Sequence, residues 1–178
     1  MADLGALPRG GGVCAFRVWA PHARGVEVRL LDDGRDVALQ PEGDGHHAAE
    51  VPHVTAGARY RYRLDGARDL PDPASRSQPD GVHGPSAVVD PGTHRWSDAG
   101  WTGLERGALV TYELHVGTFT PEGTFAGVIE RLDHLVDLGV DAVELMPVAE
   151  FSGARGWGYD GVDLFAPHHA YGLSLIHI

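Results

Sequence analysis

The stretch Gly139-Val-Asp-Ala-Val-Glu-Leu-Met-Pro-Val148 constrains this chain more than any other. It is an apolar run of strand length, entered through a glycine and left into a loop, Ala149 to Gly172, rich in glycine and aromatic residues. Such a run reads as a buried parallel strand feeding a site, and function is expected just after Pro147. Its partner lies upstream. Leu109–Val116 has the pattern of a second strand, and Thr124 is placed to cap a helix in which Phe125, Val128, Ile129, Leu132, Leu135 and Val136 recur at helical spacing. Gly139 closes that helix. The order strand, helix, strand defaults to a right-handed βαβ crossover, which suits a barrel or a doubly wound sheet almost equally.

Polar residues inside these strands need an account. Glu113 and His115 alternate with Tyr112, Leu114 and Val116, and Glu144 sits on one face of the second strand. If the other faces meet helices, the three point to a shared interior, where carboxylates must be paired. A structural ion-pair layer is the expectation, with His115, nearest the strand end, the one to reach a ligand.

The first third of the chain has a different period. Val13–Trp19 and Gly25–Leu31 are short strand-like runs, with Asp32-Asp33-Gly34-Arg35 as a turn. Arg59–Leu64 alternates strictly, so Tyr60, Tyr62 and Leu64 share a dry face and three arginines the wet one. Repeated short strands with turn residues between them predict an antiparallel β-sandwich. From Asp65 to Gly107, prolines at 71, 73, 79, 85 and 91 preclude long regular elements. Trp96 and Trp101 argue that this connector is ordered and packed between two domains.

The chain has 14 Lys+Arg against 25 Asp+Glu, a net charge of −11 that repels phosphate backbones and anionic membrane surfaces and favours uncharged or cationic ligands. Neither nucleic acid nor membrane is an expected partner. The single Cys14 has no partner for an internal disulfide, no apolar stretch approaches a membrane span, and Met1-Ala-Asp-Leu-Gly5 lacks the order of a signal peptide, so a cytoplasmic location is expected.

Three motifs carry a resemblance that covers about residues 10 to 172. Phe16-Arg-Val-Trp-Ala-Pro-His-Ala23 resembles the N-terminal sandwich of α-amylase-superfamily enzymes that process α-glucans. Tyr112-Glu-Leu-His-Val-Gly-Thr-Phe119 resembles their first barrel strand, and Gly158-Tyr-Asp-Gly-Val-Asp-Leu-Phe165, running to Tyr171-Gly172, resembles the pattern after the second. Within that superfamily (glycoside hydrolase family 13), the connector Leu70–Ser86, Glu144–Val148 and Trp157–Asp160 resemble the trehalohydrolases, with glycogen branching enzymes the nearest rival. The fold class implied is an immunoglobulin-like β-sandwich followed by the first two strands of a (β/α)8 barrel, cut short. The implied domains are a sandwich over 10–90, a connector over 91–107 and the barrel start over 108–172. The implied activity is that of a retaining glycosidase, which hydrolyses the α-1,4 bond next to the trehalose end of maltooligosyl-trehalose.

The substrate-binding residues expected are Tyr159, which matches the superfamily tyrosine stacking on the reacting sugar, with Trp157 and Asp160 of the same loop and His115 at the strand end. Asp163 matches a position that fixes the loop. His168 and His169 are read as surface loop residues, since no third metal ligand stands at a recognisable spacing, and no cofactor is called for. The two carboxyl groups of the retaining route fall after later barrel strands in this superfamily. A barrel takes about 250 residues, and Ala108 onward has room for two strands, so no catalytic residue is assigned. Leu173–Ile178 departs from the family pattern and is expected to be an unrelated tail. A different class remains open: a non-catalytic α-glucan-binding module, which needs exposed aromatics on the sandwich, where Trp19 and Tyr60 are the candidates and both are expected in the core.

Overall fold

A computed structural model describes residues 4–172, so the expected tail at 173–178 lies outside the described residues. The N-terminal half is a curled antiparallel sheet whose strands are β1 (Gly5–Gly10), β2 (Val13–Trp19), β3 (Val26–Leu30), β4 (Asp36–Gly43), β5 (His46–Pro52), β6 (Arg59–Leu64), β7 (Arg68–Leu70) and β8 (Ser86–Ala87). The order is β1-β2-β5-β4-β3-β6-β7, with β8 also on β6. Strand β4 makes the curl. Its first half, Asp36–Leu39, pairs with β3, and Gln40–Gly43 pairs with β5 across an irregular step between Pro41 and Gly43. One strand thus serves two layers, the way corners are made in sandwiches.

Alternation decides which side chains fill the space between. Val26, Val28 and Leu30 of β3, Cys14, Phe16 and Val18 of β2, and Tyr60 and Tyr62 of β6 form one buried cluster. The outward arginines make ion pairs, with Arg63 between Asp36 and Asp69 at 2.9 and 2.7 Å. Phe16 and Tyr60 meet edge to face at 5.0 Å. Trp19 ends β2 on the outside, 57% exposed, with its indole N–H donating to the Asp44 carbonyl at 3.0 Å, so the expectation of a core tryptophan there is corrected.

The proline-rich stretch after β7 is tied to the sheet by one buried carboxylate. Asp72 accepts a 2.6 Å bond from the Tyr60 hydroxyl and another from the Ala74 N–H, while its own N–H donates to Ser86 Oγ, which in turn bonds Gln78. Beyond that network the chain changes. Trp96 and Trp101 are 56% and 69% exposed, so they are not packed between two units as the sequence suggested. Trp96 lies edge-on to His94 and is otherwise open.

After the connector, β9 (Thr111–Leu114) and β10 (Ala142–Leu145) pair in parallel, Glu113 opposite Glu144. Between them come α1 (Val116–Phe119), α2 (Phe125–Ile129) and α3 (Leu132–Asp137). Thr124 caps α2 by accepting from the Gly127 N–H, and Gly139 follows α3 in the left-handed region (φ 85°), both as expected. The single expected helix is divided at Arg131 (φ −107°, ψ 4°), and no helix-breaking residue there explains it. Leu114, Val116, Phe125, Val128, Leu135, Phe151 and Tyr171 form a second core. Two short strands, β11 (Ala149–Glu150) and β12 (Asp163–Pro167), pair antiparallel and bracket the loop that follows β10. Among the described residues no helix is long and apolar enough to cross a membrane.

Candidate functional site

A cavity of about 550 Å³ opens where β9 and β10 end, lined by His115, Gly117, Thr118, Ala154, Arg155, Gly156, Trp157 and Tyr171. Its position follows from the topology, since loops leaving the C-terminal ends of parallel strands are where such sheets place their ligands. Of the four expected binding residues, His115 and Trp157 line it. Tyr159 and Asp160 are exposed one turn further along the same loop and do not line it. Trp157 and Tyr159 are 74% and 71% exposed, a large aromatic surface held toward solvent. Glu113 and Glu144 are also exposed, side by side on the open face of the two-stranded sheet, not in a buried ion-pair layer.

The loop stays close to the strand ends because of one glycine. Gly158 has φ 89°, and a Cβ there would collide with the Pro147 carbonyl, so only glycine lets the chain fold back over β10 before Tyr159.

Two histidines hold the loop's backbone. His115 Nε2 lies 2.8 Å from the Gly156 carbonyl oxygen, and His168 Nε2 lies 3.0 Å from that of Gly153. A carbonyl only accepts, so both rings carry their proton on Nε2. For His168 the other nitrogen agrees: the Ala170 N–H donates to Nδ1 at 3.2 Å. Burial and this arrangement keep the ring neutral, and desolvation pulls its pKa below the usual histidine range.

His168 is fully buried, stacked on Phe151 at 3.8 Å, which corrects its reading as a surface residue. Nor does sequence spacing reveal its neighbour Glu150, also fully buried, which accepts from the His169 N–H at 2.7 Å and contacts His169 Nδ1 at 2.9 and 3.1 Å. Glu150, His168 and His169 stand close enough to share a metal ion. A metal on His168 Nε2 would force the proton onto Nδ1, against the Ala170 N–H. The three therefore fit a hydrogen-bond relay better than a cation site.

Asp163, expected to fix the loop, is buried at the start of β12 opposite Glu150, and its Oδ2 has no partner among the described residues. Burial, then Glu150 and Asp72, push its pKa up to about 6, with His83 opposing. Asp72 is likewise raised to about 6, by burial, against its hydrogen bonds from Tyr60 and Ala74.

The site's geometry defines a class: an open, mostly uncharged cleft with aromatic faces and ring N–H and hydroxyl groups, at the end of parallel strands that follow a curled antiparallel domain in the chain. Comparison with known proteins agrees. Residues 3–89 match the family Carbohydrate-binding module 48 (Isoamylase N-terminal domain). The malto-oligosyltrehalose trehalohydrolase of Deinococcus radiodurans is 49% identical over 170 residues, which are 95% of this chain and 28% of that protein. A 1,4-alpha-glucan branching enzyme of Xanthomonas euvesicatoria is 36% identical over 177 residues, 88% of this chain and 24% of that protein. A putative alpha amylase from Salmonella typhimurium superposes with a TM-score of 0.92 at 47% identity, covering 99% of this chain and 30% of that one. Over nearly its whole length the chain is thus similar to a part of the malto-oligosyltrehalose trehalohydrolases, and its first half to carbohydrate-binding module 48. It spans less than a third of the length of these relatives.

Proposed function

We propose that the chain is the N-terminal part of a glycoside hydrolase of trehalose biosynthesis, which cleaves the α-1,4 bond next to the trehalose end of maltooligosyl-trehalose. On this reading β9 and β10 are the first two strands of a (β/α)8 barrel, the sandwich covers about residues 10–90, the connector 91–107, and the barrel begins near 108. The observation that carries it is the His115–Trp157 cavity at the ends of two parallel strands, in a chain far closer to trehalohydrolases than to the branching enzyme. Trp157, Tyr159, Asp160 and His115 bind the sugar, an uncharged ligand that suits aromatic faces and directional hydrogen bonds on an acidic protein. The nucleophile and the acid/base of the retaining route are assigned to neither Glu113 nor Glu144 nor Glu150, the last being committed to His169. The free, buried thiol of Cys14 suits the cytoplasm.

The test is an assay of this sequence completed to the length of its relatives. Release of trehalose from maltooligosyl-trehalose, with little action on plain amylose, is the expected result. Transfer of glucan chains to α-1,6 positions with the trehalose end left intact would sink it in favour of a branching enzyme. Trp19 favours a second, compatible reading, that the sandwich itself binds α-glucan, because its indole is exposed at the end of β2. Retention of the 178-residue chain on an amylose column, lost in Trp19→Ala, would support that reading.

A further inference from the structure

Among the described residues Trp157 makes no aromatic ring contact, and it is 74% exposed, so its backbone does most to set where the indole stands. Among the described residues, the backbone of Ser152–Trp157 takes part in two hydrogen bonds, those from His168 to the Gly153 carbonyl and from His115 to the Gly156 carbonyl. His115 faces the cavity and is already placed among the binding residues. His168 is not in the cavity at all. It lies between the rings of Phe151 (3.8 Å) and His169 (4.5 Å), with the cavity-lining Tyr171 tilted against it at 5.0 Å, and its orientation is fixed by the Ala170 N–H on one ring nitrogen. His169 is in turn tied to the buried carboxylate of Glu150.

We propose that His168 is a positioning residue for sugar binding: held by Phe151, Ala170 and the Glu150–His169 pair, it fixes the Gly153 end of the loop as His115 fixes the Gly156 end, and so sets Trp157 at the cavity mouth. The inference rests on the sugar-binding reading for the use made of Trp157, and on the hydrogen bonds alone for its placement. The chemistry explains why a histidine is needed. A buried ring that must accept from an amide on one nitrogen and donate to a carbonyl on the other is matched by neutral imidazole, whose two nitrogens have opposite roles. Leucine fills the space and does neither. Glutamine keeps one amide N–H near the Nε2 position.

The experiment uses this sequence completed to the length of its relatives, with 5-fluorotryptophan incorporated and the Trp157 resonance assigned as the one lost in Trp157→Phe. His168→Leu is expected to shift and broaden the Trp157 fluorine signal and to raise KM for maltooligosyl-trehalose at least fivefold with kcat within twofold. His168→Gln is expected to restore most of both. An unchanged Trp157 signal in His168→Leu overturns the proposal, as does a fall in kcat with KM unmoved. If the leucine variant does not fold, His168→Gln alone decides: near-native signal and KM support the role, and a folded glutamine variant as impaired as a Trp157→Ala control overturns it. Were the unsubstituted enzyme inactive on maltooligosyl-trehalose while the fluorine signal still answered to His168, the positioning would stand and the substrate reading would fall.

Discussion

Tyr159 and Gly158 are adjacent and have opposite relations to the fold. The tyrosine ring is 71% exposed and rests on little, so Tyr159→Ala should leave the thermal midpoint within about 2 °C while lowering turnover of the completed enzyme at least tenfold, if the ring steadies the reacting sugar where positive charge develops. Steady-state kinetics beside a melt separate the two. Gly158 is the reverse. Any side chain there meets both a left-handed backbone and the Pro147 carbonyl, so Gly158→Ala should cost about 1–3 kcal/mol from backbone strain, with the collision added, and displace Tyr159 as well. A wild-type melting curve for Gly158→Ala would show that the loop does not close over β10 as described. The chain order Gly-Tyr was visible in the sequence. That the glycine is needed for contact with Pro147 was not, because the two residues are brought together only by the loop's return.

At the scale of elements, the join between β11 and β12 places two buried carboxyls opposite one another, Glu150 and Asp163. Asp163 carries a pKa raised to about 6, so the folded protein prefers it protonated. That preference adds stability fully below its ordinary pKa near 3.8 and loses it as pH rises through about 6. Asp163→Asn, neutral at every pH, should therefore raise the melting temperature at pH 8 by about 2–4 °C, for a gain of about 1 kcal/mol, and make little difference at pH 4. Equal shifts at both pH values would show that the carboxyl is not desolvated. His168 acts in the opposite sense, its lowered pKa contributing above the usual histidine range and losing its contribution as pH falls through the depressed value. The helix start is simpler: Thr124→Ala removes the bond to the Gly127 N–H and should cost about 1 kcal/mol, read in a urea melt.

Across the whole molecule the two halves differ in completeness. The curled sheet buries its aromatic interior, whereas the parallel pair and the helices and strand around it leave Tyr112, Ile129, Val136, Leu138, Leu145, Leu164 and Phe165 exposed. An apolar surface of that extent is unusual on a monomer. The 178-residue chain should accordingly bind a hydrophobic dye strongly and self-associate, and the completed chain should do neither. A monomeric, dye-negative 178-residue chain in the centrifuge would contradict the proposal that further barrel elements cover this face.

By itself the sequence determined what period and local chemistry can determine. The strict alternation of Arg59–Leu64 put Tyr60 and Tyr62 inside, Thr124 and Gly139 bounded the helical stretch, and the order strand, helix, strand led to the parallel pairing of β9 with β10. His115, expected near a ligand from its place at a strand end, and Trp157, from the loop, stand forty-two positions apart in the numbering and line one cavity. The tertiary structure decided what depends on partners distant in the chain. Trp19 was expected in the core because it lies in an alternating strand, and Trp96 and Trp101 because large apolar rings avoid water, but burial needs a facing surface, and among the described residues none covers them. Glu113 and Glu144 align in register without becoming buried, for the same reason. His168 went the other way: with no third metal ligand at a recognisable spacing it was expected on a surface loop, and only the return of β12 against β11 lays it on Phe151 with both ring nitrogens satisfied. A side chain's period is written locally, but its neighbours are set by how the chain comes back to itself.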